Sequence, residues 1–170
     1  MNRPAGRLPF PAQTQELHHE VERVVALGEG GREIAVEQAL DHVFGYARRP
    51  RHDAPRHAGS GEEGRPPGGH GQGARPVRAH RPDSCVRGAR PPDAGAVWLR
   101  INGELRQEGD LEQQIWKVPE TISYLSTLVA LRAGDPIMTG TPKGIGRVEP
   151  GDHLHGHIDG AGDVTVTYDT

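Results

Sequence analysis

Gln15 to Gly28 reads QELHHEVERVVALG, and it sets two carboxylates two residues apart at the head of an apolar run. In an extended chain successive side chains point to opposite faces, so Glu20 and Glu22 project the same way while Val21 turns inward. Two acids on one face repel each other unless positive charge sits between them. A hard divalent cation meets that need, since Mg2+ binds through one or two protein carboxylates and completes its octahedron with water or ligand oxygens. The polar face of an ordinary half-buried strand shows the same alternation, and on spacing alone that plainer account is the stronger one.

Working outward, the spacing predicts a strand over Val21 to Leu27, a turn at Glu29 to Gly31 and a second short strand near Arg32 to Ala35. Val36, Ala39, Leu40, Val43 and Phe44 recur at helical intervals, so a helix is expected from Val36, closing at Gly45. Met1 to Gln15 is polar and reads as a lead-in.

A second orderly region begins at Ala96. Val97, Leu99 and Ile101 line one face of a strand, Asn102-Gly103 is a two-residue hairpin turn, and Glu104 to Gln107 returns beside it. Pro119 opens a helix over Glu120 to Leu131 with Ile122, Leu125 and Val129 inward. Pro136 to Met138 runs as a strand into the loop Thr139 to Gly146, TGTPKGIG. A phosphate-binding P-loop needs a Lys-Ser or Lys-Thr pair and a following helix, and neither is present. The last hairpin pairs His153 to Ile158 with Val164 to Tyr168. His153, His155 and His157 share a face, but a solvated strand face accounts for them without a metal.

Between these regions the composition changes. Ala47 to Pro92 contains no Leu, Ile, Met, Phe, Tyr or Trp and carries ten arginines against four acids. Such a stretch cannot bury enough surface to offset its ordering entropy and is expected to be disordered. The whole chain, 170 residues at net charge -3, suits one core and disfavours nucleic acid or an anionic membrane as partner. One cysteine, Cys85, and no long apolar run point to a cytoplasmic protein with no membrane attachment.

The strings HHEVERVVALGEGGREIAVEQALDHVFGY, residues 18–46, and VWLRINGELRQEGD through TGTPKGIG to DVTV, residues 97–166, resemble the fumarylacetoacetate hydrolase family. The likeness is greatest to its fumarylpyruvate and acylpyruvate hydrolases, with the NGE, RQ, GD and TGTPKGIG elements in family order. The resemblance implies an α+β, mainly β fold, a β-roll with few helices. It implies a metal-dependent hydrolase of aromatic catabolism that cuts a carbon–carbon bond in a small 1,3-diketo acid and releases pyruvate. Glu20 and Glu22 match metal ligands for Mg2+ or Mn2+, Thr141 matches a substrate-binding threonine, and a homodimer is expected.

The resemblance also has gaps. The family's lid, whose His and Glu activate water, is not matched, so no catalytic residue is assigned, and only proximity recommends His18 and His19. Arg51 stands where the family carries a third carboxylate ligand, and Gln72 where it carries a lysine. Read one base later with suitable codons, Arg48 to Gly59 encodes VGLDMTRRDMQ and His70 to Ser84 encodes MAKALDPSAPIAPI, both close to the missing family segments. The stretch 48–92 therefore reads as out of frame. The chain reads as one incomplete catalytic domain, with lead-in 1–15, matching blocks 16–47 and 93–170, and impaired turnover. The competing accounts are a catalytically silent, dimer-forming homologue and an Arg-rich protein associated with nucleic acid.

Overall fold

The computed structural model describes residues 6–11, 16–53, 86–87 and 92–170. It is mainly β. The strands are β1 (Gly6–Leu8), β2 (Leu17–Leu27), β3 (Val43–Asp53), β4 (Val86–Arg87), β5 (Ala96–Ile101), β6 (Glu104–Asp110), β7 (Pro136–Met138), β8 (Gly146–Val148), β9 (His153–Ile158) and β10 (Gly162–Tyr168). Helix α1 spans Val118–Leu128, and 3-10 turns cover Val36–His42 and Leu111–Gln113. One sheet has the order β1-β10-β9-β5-β6, the other β4-β3-β2-β7, with β8 also paired to β2.

Strand β2 joins the two halves of the core. Leu17 and Val21 pack with Val97, Leu99, Leu154, Ile158 and Val166 of the first sheet. Further along, Val25 and Leu27 pack with Tyr46, Ile122 and Ile137 beneath α1. Val21 and Val25 are both fully buried, each contributing roughly 1.5–3 kcal/mol of hydrophobic stabilisation. Gly156 of β9 lets the first sheet approach, since a Cβ there would lie 3.1 Å from the Val21 methyl Cγ2.

Several elements differ from the sequence expectation, each because a partner distant in the chain takes over. Strand β2 starts at Leu17, ahead of Val21, because Leu17 to His19 pair with β8. The expected strand at Arg32 to Ala35 is absent. Glu33 holds a left-handed φ of 51°, and only Gly31 bridges, to Leu131. The expected helix from Val36 ends after a 3-10 turn at His42. Val43, Gly45 and Tyr46 pair with Leu27, Ala26 and Val25 instead, so Gly45 sits inside β3. Val36 and Phe44 are then exposed rather than packed.

Helix α1 begins two residues early, with Glu120 accepting a hydrogen bond from the Lys117 backbone N–H at 2.8 Å. It ends at Leu128 because Leu131 is held by its backbone bonds to Gly31. Ser126, not Val129, occupies the buried face. The Asn102-Gly103 turn is as expected, with φ of 52° and 87° at its two residues. Strand β6 runs on past Gln107 to Asp110. A β1 strand lies within the expected lead-in, parallel to β10. The expected disordered or frame-shifted stretch lies outside the described residues, apart from the backbones of β3 as far as Asp53 and of β4. Among the described residues no helix is long and apolar enough to cross a membrane.

Candidate functional site

On one side β2 is paired with β3 along its length. On the other, β8 pairs Leu17 to His19 and β7 pairs Val24 to Ala26. Among the described residues no strand pairs Glu20 to Arg23 on that side, where the chain from Thr139 to Ile145 leaves the sheet. Buried backbone polar groups must find partners, and here loop and neighbouring side chains supply them. The Val21 N–H donates to Gln107 Oε1 at 3.2 Å, and the Thr141 hydroxyl donates to the Val21 carbonyl at 2.9 Å. The Thr139 N–H and hydroxyl both donate to the Arg23 carbonyl at 3.1 Å.

The carbonyl that receives Thr141 belongs to the residue between Glu20 and Glu22. Thr141 is thus bonded to the backbone of the residue that separates Glu20 from Glu22. Glu22 is buried at 3 % exposure, and Glu20 and Thr141 are half-buried. A carboxylate that far from water needs compensating charge or donors around it. In Cα register Glu20 faces Arg51 and Glu22 faces Arg49 across β3. Position 51, where the resemblance implies a third acid, therefore lies directly beside Glu20 and is occupied by arginine.

The donor chemistry fits a hard cation in part. Two carboxylates on one strand face offer oxygen ligands of the kind Mg2+ and Mn2+ take, leaving positions for water or ligand oxygens. Among the described residues no group of three or more His, Cys, Asp or Glu side chains could hold a metal ion. The three histidines of β9 are engaged with other side chains. His155 and His157 bond to Asp163 at 3.1 Å each, His157 bonds to Asp159 at 2.9 Å, and His153 pairs with Thr167. An open cleft at the start of α1, lined by Val36, Asp93, Glu112, Lys117 and Glu120 among others, includes none of the candidate residues.

Sequence reasoning missed the residues that hold this gap in shape. Gln107 is fully buried; besides accepting from Val21 it donates through Nε2 to Thr141 Oγ1 at 2.9 Å and to the Pro142 carbonyl at 2.8 Å. His19, also buried, donates through Nε2 to the Gly144 carbonyl at 3.1 Å. Burial lowers its pKa, which keeps the ring neutral. Arg23, 4 % exposed, donates to the Pro92 carbonyl at 3.0 Å and to Gln114 Oε1, and lies 6.0 Å from the Tyr46 ring centroid. Burial lowers the Arg23 pKa and pushes the Tyr46 phenol up to about 12. The Arg106-Gln107 pair was visible as a motif, but nothing local to it reveals a partner 34 residues away.

The family profile described as "Fumarylacetoacetate (FAA) hydrolase C-terminal" matches residues 1–49 and 71–168. The chain belongs to the fumarylacetoacetate hydrolase family. The match to this family leaves out 50–70 and takes in 71–92, which the sequence reading had set outside its matching blocks. Among curated family members, mouse mitochondrial oxaloacetate tautomerase FAHD1 is 40 % identical over 154 residues, 89 % of this chain and 68 % of the mouse protein. Among solved structures, fumarylpyruvate hydrolase from Pseudomonas aeruginosa, in complex with Mn2+ and pyruvate, is 33 % identical with a TM-score of 0.74, over 97 % of this chain and 71 % of that one. Maleylpyruvate hydrolase from Sphingobium sp. SYK-6, in complex with manganese and pyruvate, is 26 % identical with a TM-score of 0.74, over 98 % and 60 %. These three relatives are a tautomerase and two hydrolases, so the chain belongs to a family of enzymes.

Proposed function

We propose that the gap beside Val21 is an oxo-acid site, with Glu20 and Glu22 holding Mg2+ or Mn2+ and the Thr141 loop receiving the substrate. The reaction is hydrolysis of a 1,3-diketo acid of the fumarylpyruvate or acylpyruvate type with release of pyruvate. The observation that carries this reading is the Thr141 hydroxyl bonded to the carbonyl between the two glutamates. A divalent cation would supply the positive charge that stabilises the enolate leaving group. The chain's own contribution is to set two carboxylates on one strand, bond Thr141 to the residue between them, and bury the surroundings of Val21.

Turnover by this chain is expected to be slow. Arg51 stands at the position where the resemblance implies a third acid, and a positive residue in place of a carboxylate ligand opposes a cation instead of holding it. Gln72, outside the described residues, stands where a lysine is expected. The reading includes a homodimer, as the family resemblance implies, and a cytoplasmic location, against which stands the mitochondrial location in the name of the mouse relative. A second reaction, enol–keto conversion of oxaloacetate, is favoured by the 40 % identity to a tautomerase.

The test is Mn2+ binding followed by assays of pyruvate release from fumarylpyruvate and of oxaloacetate enol decay. Metal binding lost on Glu20→Ala and on Glu22→Ala supports the site, and the assay that responds to metal decides the reaction. Wild type that binds no Mn2+, or Glu→Ala variants that bind as well as wild type, would refute it.

A further inference from the structure

We infer that Gln107 is a positioning residue that turns the Thr141 hydroxyl into a hydrogen-bond acceptor toward the ligand, so that the site favours an enol or hydroxyl donor at that point. The inference rests on the oxo-acid reading of Glu20, Glu22 and Thr141 given above.

The orientation of the Gln107 amide is set by its neighbours. The Val21 N–H can only donate, so the oxygen of the amide must face it. The Pro142 carbonyl can only accept, so the NH2 group must face that. A flipped amide would put oxygen against oxygen and N–H against N–H in a fully buried place. With the amide so oriented, Nε2 also donates to Thr141 Oγ1. The Thr141 hydroxyl has one proton, and the Val21 carbonyl, which accepts only, takes it.

A hydroxyl has one donor and two acceptor sites. Here the donor goes to Val21 and one acceptor site to Gln107, leaving a single acceptor site. Thr141 is half-buried, so a ligand in the gap can reach it. A carboxylate or ketone, which only accepts, gains nothing from that oxygen. An enol, a 2-hydroxy group or a water donates to it. The hydroxyl therefore discriminates between two states of an oxo acid that differ only in where one proton sits. Gln107 acts through Thr141 and need not touch the ligand.

The experiment compares Mn2+-loaded wild type, Thr141→Val and Thr141→Ser by calorimetric titration with pyruvate, which has no donor at its second carbon, and with lactate, which has a hydroxyl there. The expected result is a lactate-to-pyruvate affinity ratio that falls roughly three- to ten-fold in Thr141→Val, the worth of one neutral hydrogen bond, and is retained in Thr141→Ser. General loosening of the loop would weaken both acids and leave the ratio unchanged. In metal-free protein, Gln107→Leu should speed exchange of the Val21 amide, whereas Thr141→Ser should not. The same ratio in Thr141→Val as in wild type, or a Val21 amide indifferent to Gln107→Leu, overturns the proposal while leaving the oxo-acid site intact. Failure of wild type to bind Mn2+ overturns the site itself, and the proposal with it.

Discussion

Gly144 is the position where a single methyl group should do the most local damage. Its φ is +100°, a conformation costly for any residue with a Cβ. A Cβ built there lies 3.2 Å from the Arg106 carbonyl carbon and 3.4 Å from Gln107 Cα, with the carbonyl oxygen closer still, inside 3.0 Å. These are backbone atoms of β6 and cannot swing aside, so in Gly144→Ala the loop must move. Backbone strain of about 1–3 kcal/mol then adds to the loss of the bond from buried His19 to the Gly144 carbonyl, itself about 1–3 kcal/mol when the donor is left unsatisfied. The total is roughly 2–6 kcal/mol. Gly140 is the control. Its φ is +87° but no atom lies within 4 Å of its built Cβ, so Gly140→Ala should cost only the strain, about 1–2 kcal/mol. Urea unfolding of metal-free protein, followed by fluorescence of Trp98 and Trp116, measures both. A difference between the two variants below about 0.5 kcal/mol would show that the loop does not press against β6 as described.

Three further outcomes are expected. Ser126→Ala should destabilise by about 1–3 kcal/mol in the same unfolding assay, because the buried hydroxyl accepts from the Ile34 N–H at 2.8 Å and a methyl cannot. Glu22→Gln should weaken Mn2+ binding at least about ten-fold by titration while Glu104→Gln, on the exposed β6 hairpin, leaves it unchanged; equal effects would dissociate the metal from this strand. The third concerns pH. Burial pulls the His157 pKa down, but bonds to Asp159 and Asp163 outweigh it and the net shift is upward, whereas both aspartates are shifted down. His157 therefore stabilises fully below its unfolded value near 6.5 and loses that contribution as pH rises through its folded value. The aspartates stabilise above about 3.8 and lose their contribution as pH falls. The stability difference between wild type and His157→Gln should shrink as pH climbs from about 6 to about 9, and a difference that stays level over that range would refute the pairing. His19, shifted the other way, is common to both proteins and cancels.

Sequence alone settled what depends on neighbours in the chain. Alternation of Val97, Leu99 and Ile101 set a strand, Asn102-Gly103 set its turn, and the ordered motifs from Glu20 to TGTPKGIG pointed to the family, because local backbone preference and motif spacing are linear properties. Sequence alone misjudged Val36 to Tyr46, whose helical spacing yielded to β pairing with Leu27, Ala26 and Val25, a contact that no local periodicity encodes. Only the tertiary structure decided that β7 and β8 stop short of each other along β2, and that Gln107, Thr139 and Thr141 fill the break. That break brings a loop from more than a hundred residues away to the carbonyl between Glu20 and Glu22. Hydrogen-bond satisfaction of a buried backbone is a demand placed by the assembled fold, and it is met by whichever side chains the fold delivers there.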